Sequence, residues 1–195
     1  MSEISLKQEN LLNQNLKDDP DCLIQTHAAH ILQSENFLRT ENFIQHGTTS
    51  CRMHCISVAR CSLAIAAKLH LPHDTVSLVR GALLHDFFLY DWHVKQPDMR
   101  GLHGYTHPKA AYAKASAEFS LNRIERDIIL RHMFPLTIVP PRSVEAWLVC
   151  LSDKICSILE IFRNRPATAS SNPIMGYGAM GQPDKPPRSD AVPHP

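Results

Sequence analysis

The 195-residue sequence lacks several features that would point directly to a functional class. Its formal net charge of +1 gives no electrostatic reason to expect binding to nucleic acid or to anionic lipid. No run approaches the roughly 18–20 apolar residues of a membrane span. The stretch Met1–Asn10 lacks the basic and apolar blocks of a secretory signal. We therefore expect a cytoplasmic protein without a membrane partner, and the sequence leaves its oligomeric state open.

The six cysteines include no Cys-x-x-Cys pair. Cys51, Cys55 and Cys61 lie along one predicted helix, and Cys150 and Cys156 lie along another. Reduced thiols on such helices behave as small apolar side chains. We therefore predict core packing rather than disulfides, with a thiolate metal site as the weaker alternative.

Three segments differ in composition. Residues 1–20 are polar with little apolar periodicity and predict a flexible N-terminal arm. From Pro166 to Pro195 there are seven prolines and three glycines without an apolar stripe, so residues 164–195 are predicted to be a disordered tail. The folded domain is therefore predicted at 21–163, as a single unit.

The pattern within that domain is helical throughout, and no stretch alternates with the period of a strand. The predicted fold is all-α, a single helical bundle. Helices are predicted within 21–39, from about 49 to 69, from 75 to the pair at 85–86, after 107, after 122, and from about 143 to 162.

Local signals mark the starts of two of these helices. Thr106 or His107 is predicted to cap a helix that carries Pro108 in its first turn, a position that proline tolerates. Asn122 and Glu125 have the spacing of a capping box.

Six residues of metal-ligand type fall in or at the end of predicted helices. A single inward-facing histidine more often belongs to a core than to a site. Aspartate, however, is almost never fully buried without a partner, and two aspartates of this set fall on apolar helix faces. Imidazole and carboxylate suit a first-row transition metal, so the set predicts a site for one or two ions, typical of a metal-dependent hydrolase. The six are His54, His85, Asp86, His107, His132 and Asp153.

The order H…HD…H…H…D on consecutive helices resembles that of the HD-domain metal-dependent phosphohydrolases. The segment HCISVARCSLAIAAKL, which begins at His54, is similar to the family's first-histidine helix. The segment VRGALLHDFF is similar to the family's central motif. The pairs HP at His107 and DK at Asp153 also occur in the corresponding places. This resemblance covers about 44–162, and it implies a helical HD-like domain.

The resemblance also implies a role for each ligand. His54, His85, Asp86 and Asp153 match the residues that bind the first metal. His107 and His132 match the additional histidines of binuclear members, in which the aspartate of the HD pair, here Asp86, bridges two ions. The lysine of the longer HD-x-G-K motif is absent, because the chain reads HDFFLYDWH, and the GYP signature is also missing. Both departures argue against a cyclic-dinucleotide phosphodiesterase of the HD-GYP type.

The implied reaction is hydrolysis of a phosphate ester, with a nucleotide or a related small phosphorylated metabolite as substrate. A bound metal lowers the pKa of water from ~15.7 toward ~7 and so supplies a nucleophile at neutral pH. So many imidazoles suit Mn²⁺, Fe²⁺, Co²⁺ or Zn²⁺ better than Mg²⁺.

Further site residues are predicted from their position near these ligands. Asp91 and His93 follow Asp86 closely and are predicted, with Asp86, to be catalytic; the alternative is that they only anchor the loop. His103 precedes His107 by four residues and is a candidate to replace or assist it.

Three residues are predicted to bind the substrate. His46 precedes the first metal helix, and Lys109 and Arg131 flank two proposed ligands. The alternative for both basic residues is an ordinary solvated helix surface.

Two other functions share the same ligand set. Some HD-like proteins use a comparable histidine-rich site for oxidative cleavage, so a di-iron oxygenase is the first alternative. A non-catalytic regulatory module with a structural metal is the second, and a fully closed coordination shell would favour it.

Overall fold

The computed structural model describes residues 18–89 and 103–163, with the backbone alone at 103 and 104. The segments 1–17 and 164–195 lie outside the described residues, so the predicted arm and tail stay predictions. The first helix begins at Pro20, with Asp19 as its N-cap.

The described residues form seven α-helices and one small hairpin, which confirms the all-α prediction. A short 3₁₀ helix, Thr40–Asn42, precedes the hairpin. None of the described helices has the length and apolar character needed to cross a membrane. The elements are α1 (Pro20–Leu32), α2 (Glu35–Arg39), β1 (Ile44–His46), β2 (Thr49–Ser50), α3 (Cys51–Lys68), α4 (Thr75–Leu84), α5 (His103–Glu118), α6 (Arg123–Arg131) and α7 (Val144–Arg163).

Side-chain caps begin most of these helices. Each capping side chain accepts a hydrogen bond from a backbone N–H two or three residues later, which satisfies an otherwise unpaired donor. The predicted capping box of Asn122 and Glu125 is present with both of its hydrogen bonds. The caps are Asp19, Ser34, Ser50, Asp74, Asn122 and Ser143.

Two local predictions were wrong. The hairpin of β1 and β2 was not expected, because strands of three and two residues are too short to show a period-2 pattern. Gly47 lies between them with a positive φ of 60°, which glycine adopts without strain. The helix that carries His107 begins earlier than predicted, at His103, so Thr106 and His107 are not caps and Pro108 lies inside α5.

The helices pack around α3 and α4. Helix α3 packs against α4 and α7, and α4 also packs against α6 and α1. The close approach of α4 to α6 depends on Gly81, because a Cβ at this position would lie 3.1 Å from Cβ of Ile128 and closer still to its Cδ1. All six cysteines are free, and four are buried, as the sequence predicted. This packing brings the C-terminal ends of α4 and α6 together in the interior.

Candidate metal centre

The fold brings the six predicted ligands together in the interior. His54 lies on α3, His107 on α5 and Asp153 on α7, while the other three follow directly after α4 and α6. None of the six is more than 7% exposed.

One half of the centre contains His54, His85 and Asp153. The ligand atoms of these three side chains all lie within 4.8 Å of one another. Nε2 of His54 is 3.2 Å from Oδ1 of Asp153. Nε2 of His85 is 3.9 Å from the same oxygen. Oδ2 of Asp86 faces this half, at 3.4 Å from His85 Nε2 and 3.9 Å from His54 Nε2.

The other half contains His107, His132 and the second oxygen of Asp86. Oδ1 of Asp86 lies 3.2 Å from Nε2 of His107 and 3.4 Å from Nε2 of His132. The two imidazole nitrogens are 2.8 Å apart. Asp86 therefore presents one carboxylate oxygen to each half, which is the geometry of a bridging ligand.

Hydrogen bonds at Nδ1 orient three of the four imidazoles. A donor at Nδ1 leaves the lone pair of the neutral ring on Nε2, and in each case Nε2 faces the centre. Helix carbonyls accept two of these bonds and a carboxylate accepts the third. The pairs are His85 with the carbonyl of Ala82 at 2.7 Å, His132 with the carbonyl of Ile129 at 2.9 Å, and His54 with Oε2 of Glu160 at 3.0 Å.

Two of the proposed ligand atoms are buried and have no partner in hydrogen-bonding geometry within the described residues: Nε2 of His85 and Oδ1 of Asp86. Leaving such an atom unpaired costs about 1–3 kcal/mol. A cation next to each would satisfy both, and the surrounding imidazoles and carboxylates are the ligands that first-row transition metals accept. The residues therefore fit a metal centre of one or two ions.

The protonation of the centre reflects its opposite charges. Burial lowers the pKa of His54, but its hydrogen bonds with Asp153 and Glu160 and the nearby carboxylates outweigh burial and hold the pKa well above 6.5. Burial also lowers the pKa of His85, but nearby charges, that of Asp86 above all, raise it to about 9. Burial raises the pKa of Asp153, but the adjacent histidines lower it to about 2.

Three residues at the centre were not predicted from the sequence. Glu160 holds His54, as described, and lies seven residues after Asp153 on the same inward-facing stripe, a spacing that could have identified it. Gln45 donates a hydrogen bond of 2.6 Å from Nε2 to Oδ2 of Asp86. Nζ of Lys154 donates to the backbone carbonyl of His132 at 2.9 Å and to that of Cys150 at 3.1 Å.

A cavity of about 720 Å³ opens onto the metal centre. Its polar lining residues include Asp86, His107 and Asp153. Its walls include the apolar side chains of Met133, Pro135, Leu136 and Ile158. Three of the six proposed ligands therefore line a space that is large enough for a small molecule.

The structure brings one of the three predicted substrate-binding residues to this cavity. His46 is part of its lining, and its ring lies 5.5 Å from that of His54. Burial, followed by the charge of His54, lowers the pKa of His46. Lys109 is exposed on α5 and does not line the cavity. Arg131 forms an ion pair with Asp127 and lines a different cavity.

The position of Arg131 has a simple geometric reason. Successive residues of a helix point about 100° apart, so a residue next to an inward-facing ligand faces another direction.

The predicted catalytic residues Asp91 and His93 lie outside the described residues. For His103, only the backbone position at the start of α5 is described.

Comparison with models of protein families gives a match. A family model with the description HD domain matches residues 52–158, which is more than half of the chain. The matched region includes all six proposed ligands. No curated protein and no solved structure matches the chain.

Proposed function

Because the chain belongs to the HD domain family, whose members are typically metal-dependent phosphohydrolases, we propose that it hydrolyses a phosphate ester. The proposed substrate is a nucleotide or a related small phosphorylated metabolite. The proposed cofactor is a pair of divalent ions, with Mn²⁺, Fe²⁺, Co²⁺ or Zn²⁺ favoured over Mg²⁺ by the four imidazoles.

The observation that carries this proposal is the position of Asp86 between two groups of ligands. Its Oδ2 faces His54 and His85, and its Oδ1 faces His107 and His132. Paired ions bound there would lower the pKa of water and stabilise the charge of a phosphoryl group during in-line displacement.

The chain's own residues hold this arrangement in place. Gln45 fixes one oxygen of Asp86 through its amide, and the thiol of Cys51 donates to the backbone carbonyl of Asp86 at 3.1 Å. Lys154 ties the carbonyl of His132 to α7. Preorganised ligands of this kind avoid reorganisation during the reaction.

The cavity supports a small organic phosphate as the substrate. Its volume of about 720 Å³ falls within the range of ~300–1,000 Å³ that is typical of small-molecule sites. The apolar wall of Met133, Leu136 and Ile158 suits the organic part of the ester, and the proposed contact to the phosphate is His46, which lines the same cavity. An accessible centre also argues against a purely structural metal, which would have a closed shell.

The test is hydrolysis by chelated protein after addition of each metal in turn. Phosphate release from a panel of phosphomonoesters and phosphodiesters would be measured for the wild type and for His85→Ala and Asp86→Ala. We expect metal-dependent turnover that both substitutions abolish, together with a loss of bound metal. Glu145→Gln on α7 is the matched control, because this buried carboxylate hydrogen-bonds the backbone N–H of Asp74 and lies outside the centre.

Two results would contradict the proposal. Unchanged metal content in both ligand variants would refute the ligand assignment. Oxygen consumption with Fe²⁺, without phosphate release from any ester, would assign the centre to oxidation instead.

A further inference from the structure

A second cavity, of about 420 Å³, is rich in arginine. Arg123, Arg126 and Arg131 on α6 line it together with Arg142, which comes just before α7. It shares no lining residue with the cavity of the metal centre.

The only carboxylate in its lining is already engaged. Asp127 is an ion-pair partner of Arg131, and the Asp127 side chain is 9% exposed. Its Oδ2 also accepts the backbone N–H groups of Arg142 at 2.8 Å and Ser143 at 2.9 Å. These bonds join α6 to the start of α7.

The other three guanidinium groups have no ion pair in the part of the chain that the structure describes. They belong to Arg123, Arg126 and Arg142, and Arg126 lies over the ring of Tyr112, 5.4 Å from its centroid. With Asp127 balanced by Arg131, the cavity carries three unbalanced positive charges, whereas the whole chain has a net charge of only +1.

Isolated surface arginines are usually only solvated, but here four arginines line a single cavity. Like charges that line one cavity repel each other, and a bound anion reduces that repulsion. The planar guanidinium fork also matches the oxygens of a phosphate group in a bidentate manner. Ile124 and Leu130 add an apolar side to the same cavity.

We propose that this cavity binds a small anion with more than one phosphate charge, at a site separate from the metal centre. Three guanidinium groups exceed what a singly charged anion needs, and the volume accommodates a diphosphate or a nucleotide. The shared chemistry is the diphosphate group, whether inorganic or attached to a nucleoside.

The test uses the full-length protein after chelation, so that an anion cannot bind through a metal. Binding of pyrophosphate, adenosine diphosphate, inorganic phosphate and adenosine would be measured by calorimetry and by the shift in Tm. Sodium chloride at matched ionic strength is the reference. We expect pyrophosphate and adenosine diphosphate to bind more tightly than phosphate, and adenosine not to bind.

The variant Arg123→Gln/Arg142→Gln should weaken pyrophosphate binding at least tenfold. The matched control Arg39→Gln/Lys68→Gln removes two positive charges from exposed positions outside the cavity and should bind as the wild type does. Arg126→Gln provides an independent variant with the same expected direction, should the double variant not fold. Tighter binding of adenosine diphosphate than of pyrophosphate would show that the apolar side contributes, and equal binding would show that the diphosphate is sufficient.

Three results would overturn the proposal. The first is equal weakening in the cavity variants and the control, which would indicate a general charge effect. The second is a Tm shift that sodium chloride reproduces. The third is binding of a single-stranded RNA oligonucleotide without any binding of pyrophosphate, which would identify a nucleic-acid contact instead.

Discussion

Nδ1 of His54 lies 3.0 Å from Oε2 of Glu160, although 106 positions separate the two residues in the chain. Both side chains are buried, and the bond joins α3 to α7 beside the metal centre. A carboxylate that accepts from one imidazole nitrogen orients the ring and makes the other nitrogen a stronger metal ligand. We therefore infer that Glu160 would act on a bound metal through His54.

This relationship predicts a graded effect of substitutions at Glu160. Glu160→Ala should weaken metal binding by about 10–100-fold, the usual effect of removing such a partner. Glu160→Gln should weaken it less, because the amide oxygen still accepts the hydrogen bond without the charge. Affinities would be measured by competition with a chromophoric chelator, with Glu145→Gln as the control on the same helix. An unchanged affinity in Glu160→Ala would show that the bond is not coupled to the metal.

The sequence predicts the six ligands because each is a metal-ligand residue type in or at the end of a helix, in the order that resembles the family. Asp86 and Asp153 are the strongest signals, since a carboxylate on an apolar face needs a partner. Glu160 shares that stripe, but a glutamate near a helix end is usually solvated. Gln45 has no comparable signal, because it lies in a strand of three residues.

Residues next to a ligand in sequence are harder to assign. Lys109 and Arg131 follow or precede histidines of the centre, but the helical period directs their side chains elsewhere. Arg131 pairs with Asp127 and so belongs to the arginine-rich cavity. The i,i+4 spacing of Asp127 and Arg131 is a local signal of this pair, whereas the position of Arg142 beside it depends on the packing of α6 against the start of α7.

Metal binding at neutral pH is expected to release protons. Nearby carboxylates raise the pKa of His54 well above 6.5 and that of His85 to about 9, which favours the protonated form of both rings in the metal-free protein. A ligand imidazole must be neutral, so binding displaces these protons and the affinity should rise as the pH increases toward about 9. Calorimetric titration in buffers with different ionisation enthalpies measures the number released. A binding enthalpy that does not depend on the buffer would contradict this expectation.

The contact between α4 and α6 predicts a stability effect at Gly81. Gly81→Ala gains about 1 kcal/mol of helix propensity, but its Cβ would meet the buried Ile128. Overpacking of this kind costs about 1–3 kcal/mol, so we expect a net loss of up to about 2 kcal/mol in the free energy of unfolding. Urea denaturation measures the change. In an Ile128→Val background, which removes Cδ1, the same substitution should cost less, and strictly additive costs would argue against the contact.

The division of the centre into two halves predicts that removing a ligand from one half leaves metal binding in the other half intact. His107 contacts Oδ1 of Asp86 and His132, whereas His54 and His85 face Oδ2. His107→Ala should therefore lower the metal content from two ions to one, because the half with His54 and His85 keeps its four ligands. Hydrolysis should be abolished, because the proposed reaction uses a pair of ions. Asp86→Asn should reduce binding in both halves, since the neutral amide offers one oxygen and no charge. Metal analysis of the dialysed proteins gives both values. A wild-type content of one ion, or two ions retained in His107→Ala, would show that Asp86 does not bridge a pair.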